Sequence, residues 1–145
     1  LGHELAGVEP TKRFLYKLTD EHNFIKDIAL LVEYHMIPTR YFKGHAKNKT
    51  IKKLSTKINI EEVVTIARAD FLGRTTPQSL SGVYPAGDWL LQKAKELEVY
   101  NKPLKPLIQG RDLINLGLTP SKEFKIILDR VYTEQLNENI NNYEE

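Results

Sequence analysis

The chain has 145 residues, 41% hydrophobic and 28% charged, a balance that excludes wholesale disorder and sets the scale of one domain with at most a small appendage. It has no cysteine, so disulfides, thiolate metal sites and a cysteine nucleophile are excluded, and a reducing, cytoplasmic setting is the expectation. The formal net charge of +2 does not by itself mark a nucleic-acid binder, and no apolar run has the length of a membrane span.

The opening Leu1-Gly2-His3-Glu4 lacks the basic and apolar signature of a leader. With Met36 as the only methionine, a start at Leu1 suggests a piece of something longer. Leu5 to Leu18 reads as a helix with Val8, Phe14, Leu15 and Leu18 on one stripe, weakened by Gly7 and Pro10. Asn23 to Met36 is a stronger helix, capped by Asn23 and carrying Phe24, Ile28, Leu31 and His35 at spacings of three or four. Pro38 is expected to end it, since a residue before proline avoids the helical region. Pro38 to Lys47 then reads as a loop, and Lys49 to Lys57 as a short helix turning Ile51 and Leu54 inward.

Asn59 to Leu72 predicts a helix, with Asn59 as cap, Glu61 and Glu62 suited to the first-turn dipole, and Gly73 as its end. Thr75 to Tyr84 reads as a loop. Pro85 to Val99 is helical, with Trp89, Leu90, Ala94 and Leu97 as core candidates. The two prolines within Tyr100 to Pro106 mark a linker. Beyond it, Gly110 to Leu116 and Ser121 to Leu136 form a helical pair, with Gly117 supplying the positive φ that ends the first. The acidic end from Asn137 is expected to fray. The prediction is an all-α chain, residues 1–102 forming a helical domain and 103–145 a helical-hairpin tail.

Three features bear on chemistry. A neutral imidazole at His3 or His35 can ligate a divalent ion, and Asp70 can complete such a site. The plainer alternative has His35 capping its helix and Asp70 paired with Arg68 or Arg74. His22 and His45 are expected in solvent. Second, Arg40, Lys43, Lys47, Lys49, Lys52, Lys53 and Lys57 form an acid-free run between Pro38 and Ile60 that encloses Tyr41 and Phe42. It suits phosphate neutralisation and base stacking, or else is a solvated face whose aromatics anchor it to the core. Third, Gly110, Arg111 and Gly117 belong to a helical hairpin whose start exposes N–H groups able to hold a phosphate, unless it is a plain capped hairpin. No P-loop, H-E-x-x-H or G-x-S-x-G elbow is present, which disfavours a nucleophilic hydrolase.

Taken in order, four segments resemble the HD superfamily, in the branch fused to bacterial tRNA nucleotidyltransferases and poly(A) polymerases. They are Gly2-His3-Glu4-x-Ala6-Gly7-Val8, Leu31 to Pro38, Ala67-Arg68-Ala69-Asp70-Phe71-Leu72-Gly73-Arg74, and Gly110 to Pro120. The family's Gly-Ser and Asp-x-Asp head and its first His-Asp doublet are absent from this sequence, so the resemblance implies an HD-like domain entered part-way. It implies metal ligation or phosphate contact by His3 and His35, a late carboxylate at Asp70, and a phosphate or structural partner at Arg74. It implies a divalent ion, magnesium or a transition metal, in the parent protein, held weakly or not at all by this chain. The partners implied are tRNA or another RNA and an N-terminal nucleotidyltransferase head, with no membrane. RNA contacts are expected from the basic run and from Gly110, Arg111 and Gly117. The function implied is support of tRNA during nucleotide addition to its 3′ end. The alternatives are an HD-class metal-dependent phosphohydrolase and a non-catalytic helical interaction module.

Overall fold

Gly7 and Pro10 decide how the chain begins. The proline nitrogen cannot donate to the Ala6 carbonyl, and the expected long helix is broken into α1 (His3–Ala6) and α2 (Val8–Leu15). The Gly7 N–H still bonds the His3 carbonyl at 2.8 Å, so the break is a kink between two short helices. Phe14 and Leu18, expected on the buried stripe, are 61% and 67% exposed. The computed structural model describes residues 2–144, all of whose regular elements are helical.

The remaining helices of the first part are α3 (His22–Tyr34), α4 (Ile37–Lys43), α5 (Asn48–Ser55), α6 (Ile60–Leu72), α7 (Pro77–Leu80) and α8 (Pro85–Glu96). Asn23 is not the cap of α3; it lies inside the first turn, and the preceding Glu21 makes no side-chain cap bond. Asn59 does cap α6, its side chain accepting the N–H groups of Glu61 and Glu62. Two expected loops contain helix. Pro38 lies in the first turn of α4, because a fixed φ suits a first turn whose N–H needs no partner. In Thr75 to Tyr84, Thr76 and Ser79 cap one another across the single turn of α7.

The chain divides into two compact units at Pro103 and Leu104. In the first, α2 packs on α3, α6 joins α3 to α8, and α4 lies against α8. Ile25, Ile51, Ile60, Val63, Val64, Leu90 and Val99 are wholly buried there. Trp89 and Leu97, expected in the core, are only half-buried, and α8 stops short of Val99. Gly87 permits the contact of α8 with α6: a Cβ there would lie 2.5 Å from the Tyr84 ring and 3.0 Å from Val64.

In the second unit, α9 (Gly110–Asn115) and α10 (Lys122–Leu136) bury Leu113, Gln135 and Leu136. The segment read as a linker is fastened to α10. The Gln135 amide accepts the Leu107 N–H at 3.0 Å and donates to the Lys105 carbonyl at 2.9 Å, while the Tyr132 hydroxyl donates to the Leu104 carbonyl at 2.8 Å. Among the described residues no helix is long and apolar enough to cross a membrane.

Candidate functional site

Two histidines distant in sequence meet in the first unit. His3 opens α1, and His35 follows the last residue of α3. Their Nε2 atoms are 3.3 Å apart and their ring centroids 5.3 Å, with the planes tilted by 55°. Gly7 makes this approach possible, since a Cβ there would come within 3.2 Å of Val32 on α3. His35 is only 8% exposed, and its Nδ1 lies 2.5 Å from the Val32 carbonyl. A carbonyl can only accept, so Nδ1 carries a proton and donates to Val32, which turns Nε2 toward His3.

Glu4 lies beside this pair. Its carboxylate is 3.8 Å from His3 Nδ1 and accepts from Arg40 at 3.1 Å. A backbone hydrogen bond, helped by His3 and Arg40, holds its pKa below the ordinary carboxylate value. Met36 and Thr39 are shared by a small pocket containing His3, Glu4 and Arg40 and by a larger cavity of about 580 Å³. That cavity is lined by His35, Asp70 and Arg74 as well as by the apolar Phe71 and Tyr84. Asp70 forms an ion pair with Arg74 one turn later on the chain, and Arg68 instead pairs with Asp88 at 2.6 Å. His3 and His35 are therefore brought together, and His35 and Asp70 share a cavity, while Asp70 is committed to Arg74.

The residues present do not fit a closed metal site. Two imidazoles are half of a tetrahedral set, Glu4 beside His3 is paired with Arg40, and Asp70, the carboxylate expected to complete the set, is paired with Arg74. Among the described residues no group of three or more histidine or acidic side chains is placed to hold an ion.

The basic run comprises α4, a short connection and α5, so the part expected as a loop, Pro38 to Lys47, is helical as far as Lys43. Lys43, Lys47, Lys49 and Lys53 are exposed; Lys52 is half-buried; Arg40 is engaged by Glu4. The aromatics of the run serve packing. Phe42 meets Trp89 edge-on at 5.8 Å, and Tyr41 is half-buried, its phenol pushed above the usual pKa by burial and then by Tyr34. In the second unit, Gly110 is the first residue of α9, and Asp112 on its first turn accepts the Gln109 N–H at 2.8 Å. Arg111 is exposed, 4.0 Å from Asp112, and Gly117 has φ +85° at the end of α9.

The sequence reading missed Tyr84, Thr39 and Phe71. Tyr84 lies in a stretch that reads as a loop, yet it is 2% exposed, stacks on Phe71 at 4.8 Å and shares a 2.9 Å hydrogen bond with Thr39. Compared with known proteins, the sequence matches no family model, no curated protein and no solved structure.

Proposed function

We propose that this chain is the HD-like helical and RNA-supporting part of a tRNA nucleotidyltransferase or poly(A) polymerase type protein. The carrying observation is the 3.3 Å approach of His3 and His35, the two residues that the family resemblance pairs. In this reading the exposed lysines of α4 and α5 neutralise backbone phosphates and release their counterions. RNA is read by shape, because the groups offered are lysine ammonium ions, which meet phosphates, while Tyr41 is half-buried and Phe42 packs edge-on against Trp89. Nucleotide addition itself belongs to the N-terminal head, and the helical units hold the RNA. The test is tRNA binding to the purified chain: Lys47, Lys49 and Lys53 exchanged together for glutamate should abolish it, and unchanged binding would remove α5 as the contact.

A second reading, an HD-class phosphohydrolase, is favoured by the orientation of the same pair. The Val32 carbonyl fixes His35 Nδ1 and leaves Nε2 facing His3, and Arg40 and Arg74, each paired with a carboxylate, line the two adjoining pockets. Hydrolysis of a chromogenic phosphomonoester that disappears in His35→Ala would establish it; equal rates in both proteins would exclude it.

A further inference from the structure

The larger cavity of the first unit has a half that the histidine pair does not use. Away from His35 and Asp70 its wall is mostly carbon, from Phe42, Phe71, Val83, Tyr84, Pro85 and Ala86, with Thr76, Gln78 and Ser81 among the polar groups. About 580 Å³ is room for a small organic molecule, and an apolar wall with a few convergent polar groups is the usual character of such sites. Its aromatic floor is fixed. Tyr84 is held through its hydroxyl by Thr39 and stacks on Phe71 with an angle of 28° between the planes. Tyr84 is itself 2% exposed and backs Phe71, whose half-buried ring is the surface that an entering flat ring meets, already ordered.

The charges on the wall choose the sign of the ligand. Asp70 and Arg74 neutralise one another. Lys43, one turn after Thr39 on α4, also lines the cavity, and among the described residues it has no carboxylate partner. The wall therefore carries one uncompensated cation beside an aromatic floor. We infer that the cavity binds a small aromatic acid, its ring against the Phe71–Tyr84 pair and its anionic group on Lys43 Nζ. This goes beyond RNA support, and it uses neither His3 nor the lysines of α5.

Calorimetric titration of the whole chain with 2-naphthoate tests it, with the neutral 2-naphthalenemethanol and the non-aromatic cyclohexanecarboxylate as comparisons. Naphthoate should bind saturably at one site, and both comparisons should bind at least several-fold more weakly. Lys43→Gln, a change at an exposed position that the fold tolerates, should weaken naphthoate about tenfold, the scale of one charge-assisted hydrogen bond. Val83→Trp, at another exposed position, should block the cavity. Absence of saturable binding, equal affinity for either comparison compound, or unchanged affinity in both variants would overturn the inference.

Discussion

His35 is buried, and its orientation is fixed by the Val32 carbonyl one turn earlier on α3, which leaves Nε2 facing His3. Two nitrogens hold an ion less well than three or four, so the pair should not retain metal. After loading with zinc and exhaustive dialysis, elemental analysis should find far less than one ion per chain; a retained equivalent would contradict this. Burial, outweighing the hydrogen bond from Thr39, keeps the Tyr84 phenol above its usual pKa of 10.0. A folded-state value above the unfolded one means stability that is complete below about pH 10 and is lost as pH rises through the folded value. Tyr84→Phe should therefore cost about 1 kcal/mol at neutral pH, through the lost bond to Thr39, and flatten the alkaline decline. Urea melts at neutral and alkaline pH measure both effects. The meeting of His3 with His35 had no signal in local spacing, since the two are 32 positions apart. Tyr84 was hidden because its neighbours Ser81, Gly82 and Pro85 are loop formers.

Four helices end in the same way. After α4, α8, α9 and α10 the chain passes through positive φ at His45, Glu98, Gly117 and Glu138, and each stop is closed by paired backbone bonds. At α8 these run from the Glu98 N–H to the Lys95 carbonyl at 3.0 Å and from the Val99 N–H to the Ala94 carbonyl at 2.8 Å. Only Gly117 was legible, because glycine is the residue that advertises this conformation; the other three carry a Cβ at some cost. Glu98→Gly should therefore stabilise the first unit by up to about 1 kcal/mol, seen as a higher melting temperature. Gly87→Ala should do the reverse, by about 1–3 kcal/mol, because the Tyr84 ring that its methyl would strike is held by Thr39 and Phe71. Asn59 and the start of α6 were readable, since an Asn before two acids is a local signal. Pro38 misled, because proline both ends a preceding helix and begins a following one, and local sequence alone does not say which.

At the scale of the molecule, two helical units are joined at a pair of prolines, with the sequence from Leu104 fastened by Gln135 and Tyr132 rather than left as a free linker. Gln135→Leu would strand the Leu107 N–H and the Lys105 carbonyl. It should lower the stability of the second unit by about 2 kcal/mol, visible as faster amide exchange along α10. All-α character was legible because α3, α6, α8 and α10 are long enough to show their period. The tie across the second unit was not, because a buried glutamine looks like any exposed one until its partners are known. The proposed role in RNA support rests on the lysines of α4 and α5 acting together. Fluorescence anisotropy of labelled tRNA across a salt series tests that role most directly. The account predicts an affinity that falls linearly with the logarithm of salt, and a loss of binding when Lys47, Lys49 and Lys53 become glutamate. An affinity indifferent to salt, or undiminished in the triple variant, would contradict it.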